Sequence, residues 1–183
     1  WEPWGKIYGE INQSHDYVTS TFQKQQVWAR TFDIYHYLHN PWTWSLKGLR
    51  LLIVSPFEDS IRVKISERSN IYGVDLFPEC NLVFIKPPQT QGDQDSREFS
   101  DELKTFYEEL ETKKDLFDVA LFSSGGYGNL VCDYIYTHMG KSAIYVGGVL
   151  QMYFGIYGTH CLRESKDVLR LYLNDHWTHI KQI

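Results

Sequence analysis

The stretch Phe117-Asp118-Val119-Ala120-Leu121-Phe122-Ser123-Ser124-Gly125-Gly126-Tyr127-Gly128 decides the fold of this chain. Its first half is a short apolar run, the pattern of a strand buried on both faces. Its second half is a glycine-rich turn. The following dozen residues place Leu130, Val131, Tyr134, Ile135 and Met139 on one helical stripe. Gly140 stands where a helix C-cap belongs, and residues 142–146 read as a second buried strand. The whole is one β-turn-α-β unit.

Such a unit has a functional end. Glycines between strand and helix let the backbone approach a ligand. The free N–H groups and positive dipole end of the helix favour an anion, usually a phosphate. In open parallel sheets, ligands sit outside the carboxyl ends of the strands. The functional reading is therefore a nucleotide or sugar-phosphate site at Ser123 to Asn129, with Ser124, Gly125, Gly126, Tyr127, Gly128 and Asn129 as candidate phosphate contacts. The competing reading is that the glycines only make a tight turn. Their spacing does not fit G-x-G-x-x-G, and no Walker lysine follows.

The chain has 183 residues, six Trp and thirteen Tyr. That length allows one domain with a full core. Aromatic faces beyond the core's needs suit stacking on sugars or bases. The net charge of −5 argues against a nucleic-acid binder, which needs a basic face. No apolar run reaches the ~18 residues of a membrane span. Three unpatterned cysteines, Cys80, Cys132 and Cys161, suggest reduced structural thiols and a cytoplasmic setting. The start at Trp1 suggests a domain excised from a longer multidomain protein, with neighbouring domains of the same chain as partners.

Residues 1–48 are aromatic and polar, a cap in which 17–30 and 31–39 are each compatible with a helix. Asn40-Pro41 breaks the second. Trp42 and Trp44 are expected to pack this cap onto the sheet. Residues 49–183 form the core. Strands are expected near 50–55, 81–86, 117–123 and 142–146, parallel to one another. Ile61, Val63 and Ile65 alternate as in a strand, yet Ile61 and Ile65 also share a helix face. A crossover is needed before the next parallel strand, so a helix is expected. Phe99, Leu103, Phe106, Tyr107 and Leu110 mark an amphipathic helix. Gly147-Gly148 opens a second turn into a short helix, and 164–179 reads as a closing helix with Val168, Leu169, Tyr172 and Leu173 inward. Alternating strands and helices with short links give an α/β domain: a Rossmann-like parallel sheet flanked by helices on both faces.

Several stretches carry a resemblance. They are Asn40-Pro41-Trp42-Thr43 with Leu46-Lys47-Gly48, Ser55-Pro56-Phe57-Glu58, Phe117-Asp118-Val119-Ala120-Leu121, Gly126-Tyr127-Gly128, Gly140-Lys141-Ser142-Ala143-Ile144 and Leu173-Asn174-Asp175-His176-Trp177. The most specific is Gly147-Gly148-Val149-Leu150-Gln151-Met152-Tyr153-Phe154-Gly155-Ile156. Over residues 40–180 the chain resembles GT-D-type glycosyltransferase domains, found in bacterial surface-polysaccharide loci and glycan-building proteins of large algal DNA viruses. The resemblance implies hexosyl or deoxyhexosyl transfer from a UDP-, GDP- or TDP-linked sugar to a glycan acceptor. The sequence departs from the family at two places. An arginine-glycine-acid element is represented only by Lys6-Ile7-Tyr8-Gly9-Glu10, making Glu10 a weak equivalent of its glutamate. Tyr157-Gly158-Thr159-His160 replaces a basic stretch with a tryptophan.

Sugar transfer requires a held diphosphate, a neutralised leaving charge and a base for the acceptor hydroxyl. Backbone N–H groups at 124–129, and at Gly147, Gly148 and Gln151, are candidates for the first. Glu58, at the end of the first strand, is the first candidate base. The competing reading makes it a first-turn helix carboxylate. Asp93-Gln94-Asp95 matches the Asp-x-Asp pattern by which many glycosyltransferases hold Mn or Mg on a donor phosphate; a solvated loop is the better explanation, because hard cations want more oxygens than two carboxylates offer. No His or Cys cluster has zinc spacing. His160, Asn174 and Trp177 are candidate sugar contacts, against local packing roles for each. A non-catalytic nucleotide-sugar or glycan-binding module, and a structural domain of a larger glycan-synthesis protein, are the alternative functions.

Overall fold

The computed structural model describes residues 41–89 and 98–180. All of them fall in one compact unit, Phe32–Ile183. Glu10, Asp93, Asp95 and the two helices expected before Asn40 lie outside the described residues, as does most of the 1–48 cap.

Four strands form the main sheet: β1 Arg50–Val54, β2 Asn81–Ile85, β3 Val119–Phe122 and β4 Ser142–Tyr145. Their order is β2-β1-β3-β4, and all three pairings are parallel. β1 lies inside, and Leu51, Leu52, Ile53 and Val54 are all fully buried. Alternation along it feeds two cores. Leu51 and Ile53 join Leu121 in one; Leu52 and Val54 join Ala120 and Phe122 in the other. Each such side chain contributes about 1.5–3 kcal/mol by leaving water. A strand buried on both faces is what an unbroken apolar run requires, and β1 is one. β4, expected to be buried, is not, because it is an edge strand with Ser142 and Tyr145 exposed and Ala143 and Ile144 half-buried.

The first face is covered by α1 Glu58–Lys64, a 3-10 turn Ile65–Glu67 and α2 Arg68–Tyr72. Ile61 is fully buried while Val63 is 70% exposed, so the helical reading of that segment holds. The same core takes in α5 Val149–Met152, α6 Thr159–Glu164 and α7 Lys166–Tyr172. It also includes a short parallel pair, β5 Ile156–Tyr157 with β6 Thr178–His179. The second face is covered by α3 Phe99–Lys113 and α4 Tyr127–Met139, which bury Phe106, Leu110, Val131 and Ile135.

The closing helix is shorter than expected. Helix α7 ends at Tyr172, and Leu173 turns extended, with φ −61° and ψ 124°. The Asn174 side chain then accepts a bond from the His176 N–H at 2.9 Å, a local turn that competes with helix. Asn174 and Trp177 therefore share no helix face, and Leu173 is 49% exposed rather than inward. Trp42 does pack onto the first core, donating its indole N–H to the Tyr153 hydroxyl at 2.8 Å. Trp44 instead stays 48% exposed and donates to the Asp75 carbonyl.

The strand order positions the site. From β1 the chain crosses the first face to β2 on one side. From β2 it crosses the second face to β3 on the other side, and continues outward to β4. Reversing direction and face together keeps every crossover the same hand. The connections leaving β1 and β3 thus diverge, and a crevice opens between the carboxyl ends of those two strands.

Candidate functional site

The crevice at this switch point is a small cavity of about 100 Å³. Pro56 comes from the segment after β1, Pro88 and Gln89 from the segment after β2. Ser123 to Tyr127 come from the turn after β3, and Phe99 from the start of α3. Five of the residues around the glycine turn were legible as a candidate site; the other four walls were not. A larger cavity of about 270 Å³ lies beside the start of β2, among Ile65, Arg68, Phe77, Cys80 and Phe154. It sits away from the carboxyl ends of the strands, and its Arg68 is already bonded to Asp75 and the Ile65 carbonyl.

The turn itself is built for close approach. Gly125 has φ +54°, a left-handed conformation that favours glycine. Gly126 is the N-cap of α4, with an ordinary φ of −62°, and no side chain caps the helix. A Cβ on Gly126 would meet no atom within 4 Å, so the space above it is open. Gly128 serves packing instead: a Cβ there would overlap the Tyr145 ring. Glycine at this position lets the first turn of α4 and the end of β4 come together.

Ser123 and Ser124 are 8% and 7% exposed. The Ser124 hydroxyl is buried and has no hydrogen-bond partner among the described residues. It sits 3.3 Å from the point a Cβ on Gly128 would occupy, over the first turn of α4. A buried hydroxyl left unbonded costs about 1–3 kcal/mol. Such groups in native proteins call for an explanation, and a bound ligand is one.

Aromatic packing walls the crevice. Tyr127 is buried, with Phe99 stacked on it at 4.4 Å and 20°. Phe106 meets Tyr127 edge-on at 6.4 Å. The Gln89 amide donates to the carbonyls of Pro87 and Pro88, each at 3.2 Å.

The remaining candidates fall around this crevice in different ways. Gly147 and Gly148 follow β4, whose neighbour is β3, so their turn shares the same sheet edge. The Gly147 N–H is already given to the Phe122 carbonyl at 2.9 Å. Gln151 is 6% exposed, and its amide N–H lies 4.0 Å from the Cys161 sulfur; it lines neither cavity described above. Asn129 is exposed on the first turn of α4. Glu58 begins α1 at the same edge, and its carboxylate pairs with Arg62 at 3.7 Å. The Arg62 guanidinium in turn lies over the Phe84 ring at 4.1 Å. Glu58 is not among the crevice walls.

His160 is exposed on α6. Asn174 donates to the carbonyls of Asn70 and Ile71, at 3.2 and 3.1 Å. Those are unsatisfied carbonyls of the last turn of α2. Trp177 is 8% exposed, donates to the same Ile71 carbonyl, and packs against Tyr72 and Tyr157. Both residues hold the C-terminal segment to α2, away from the crevice.

Among the described residues no group of three or more His, Cys, Asp or Glu side chains is arranged to hold a metal ion. None of the described crevice walls is a carboxylate, so no Mn or Mg ligand set is assigned here. Burial pushes the Cys132 thiol up to about 11, so it is not a ready nucleophile. Burial likewise raises the Tyr145 phenol. Among the described residues no helix is long and apolar enough to cross a membrane. No family model, no curated protein and no solved structure matches the chain.

Proposed function

We propose that this chain is a glycosyltransferase domain that holds the diphosphate of a nucleotide-sugar donor in the crevice between β1 and β3. The observation that carries the phosphate site is the buried, unpartnered Ser124 hydroxyl beside the uncapped start of α4. The Tyr127 and Gly128 N–H groups already bond the Ser124 and Gly125 carbonyls. An anion there would therefore accept from the Ser124 hydroxyl and from the Gly125 and Gly126 N–H groups, and would face the positive end of a thirteen-residue helix. The resemblance to GT-D-type domains supplies the transfer chemistry.

In that reaction the acceptor oxygen forms a bond to the anomeric carbon. The bond from that carbon to the donor phosphate breaks, and the nucleoside diphosphate leaves with its electron pair. The acceptor's proton passes to a base. The Gly125 and Gly126 N–H groups and the helix dipole would stabilise the charge developing on the leaving diphosphate. Glu58, at the same edge of the sheet and paired with Arg62, would serve as the base. The donor would be UDP-, GDP- or TDP-linked, and the acceptor a glycan.

One observation favours a second reading, a non-catalytic nucleotide-sugar or glycan-binding module. No carboxylate is among the described walls of the crevice. A thermal-shift screen with nucleoside diphosphates and nucleotide sugars tests the shared part of both readings. A ligand at 100 times its dissociation constant should stabilise the fold by about 2.7 kcal/mol. Release of free nucleoside diphosphate in the presence of a glycan acceptor then separates enzyme from module. Absence of any shift would overturn both.

A further inference from the structure

We infer that Phe99 is the stacking platform for the nucleobase of the bound ligand, so that the site recognises a nucleoside diphosphate and not a bare phosphate. The inference rests on the phosphate reading of the crevice and extends it. The cavity is about 100 Å³, below the ~300 Å³ at which pockets begin to enclose a drug-sized ligand. Its enclosed part suits the phosphates, and the rest of a nucleotide must lie across the rim. Phe99 is that rim. It lines the cavity and keeps 43% of its surface exposed, although it opens an apolar stripe in which Phe106 and Leu110 are buried and Leu103 and Tyr107 half-buried. One face of its ring is covered by Tyr127, nearly coplanar at 20°. Tyr127 is itself 4% exposed and is held edge-on by Phe106, which is 2% exposed. The outer ring is thus flat, apolar and braced from the core, which limits the entropy lost when a base stacks on it.

A second wall residue adds a polar contact. With its amide N–H groups given to Pro87 and Pro88, Gln89 has an Oε1 with no hydrogen-bond partner among the described residues. A fixed acceptor beside a flat apolar ring suits a nucleobase, since every base presents an N–H donor on its edge. Base-on-aromatic stacking tolerates any base, so Phe99 and Gln89 give affinity for a nucleoside without choosing among the bases.

The test is calorimetric titration of the whole chain with UDP, GDP, inorganic pyrophosphate and glucose 1-phosphate. The variants are Phe99→Leu, which keeps apolar bulk over Tyr127 without a ring, and Phe99→Trp, which keeps a ring. Circular dichroism checks that each retains the native fold. The inference expects UDP or GDP to bind the wild-type chain at least about tenfold more tightly than pyrophosphate. Phe99→Leu should abolish that margin while leaving pyrophosphate affinity unchanged, and Phe99→Trp should keep it. Equal binding of nucleoside diphosphate and pyrophosphate, or a margin that survives Phe99→Leu, overturns the platform and leaves the phosphate site standing. Glucose 1-phosphate binding as tightly as UDP and GDP, and weakened by Phe99→Leu, also overturns it, because the ring would then serve the sugar. Failure of every probe to bind defeats the phosphate site itself.

Discussion

The ring of Tyr145 occupies the space that any side chain on Gly128 would need. Gly128 sits in the first turn of α4 and Tyr145 ends β4, so this contact sets how closely the helix lies on the sheet. Gly128→Ala should therefore force Tyr145 outward or lift the helix. The expected cost is about 1–3 kcal/mol, as for other overpacking changes. Tyr145 is 40% exposed, so Tyr145→Ala alone should cost less, and the double variant should recover most of the loss. Denaturant unfolding of the four proteins measures this. Additive losses would mean that Gly128 is needed for another reason.

The clamp made by Asn174 is a second stability prediction. It ties the C-terminal segment to α2 through the Asn70 and Ile71 carbonyls. Asn174→Ala should destabilise by about 1–2 kcal/mol, since it removes these two bonds and the one accepted from His176, mostly at exposed positions. Hydrogen exchange should quicken for the Thr178 and Ile180 amides, which bond to Gly155 and Tyr157. Unchanged exchange there would show that Trp177 alone anchors the segment.

Arg50 and Asp118 give a pH prediction. The Arg50 side chain, then its backbone N–H, bond the Asp118 carboxylate and hold it down to about 2. The ordinary aspartate value is about 3.9. A carboxylate whose value is lowered by folding stabilises the native state above its unfolded value. That contribution is therefore present above about pH 4 and lost as pH falls from 4 toward 2. Asp118→Asn should flatten the stability profile in that window and leave it unchanged near pH 7 apart from the lost pair. Both groups are well exposed, so added salt should shrink the effect. An identical acid limb in the variant would assign the limb to other carboxylates.

Glu58 separates the enzyme from the binding module. Glu58→Gln should lower sugar transfer at least ~100-fold, the low end for general acid–base catalysis, with donor affinity nearly unchanged. Transfer at the wild-type rate would place the base elsewhere, with Glu10 the next residue to substitute.

β1 and β3 were legible because a strand buried on both faces must be apolar at nearly every position, as Leu51 to Val54 are. β2 and β4 were legible only as short apolar runs between turns, since Asn81, Ser142 and Tyr145 are exposed. The glycine turn was legible because residues such as Gly125 mark positive φ. Pro56, Gln89 and Phe99 were not legible as crevice walls. They are far apart in sequence and meet only because β2 and β3 flank β1 on opposite sides. Phe99 carried the signal of a core position, the first in an amphipathic stripe, while its exposure depends on where that helix begins. The closing helix was overextended for a local reason: nothing apolar announced that the Asn174 side chain would take over a backbone bond.

The central claim is that the turn after β3 holds a phosphate, and Gly126→Val tests it most directly. A Cβ on Gly126 meets nothing within 4 Å, and its φ of −62° is open to any residue. The substitution should therefore leave the fold intact and fill only the space above the start of α4. Calorimetric titration with UDP and GDP should give saturable binding to the wild-type chain. The account predicts no measurable binding to a Gly126→Val protein whose circular dichroism and unfolding midpoint match the wild type. Equal affinity in the two proteins would contradict it, and so would a wild-type chain that binds neither nucleotide.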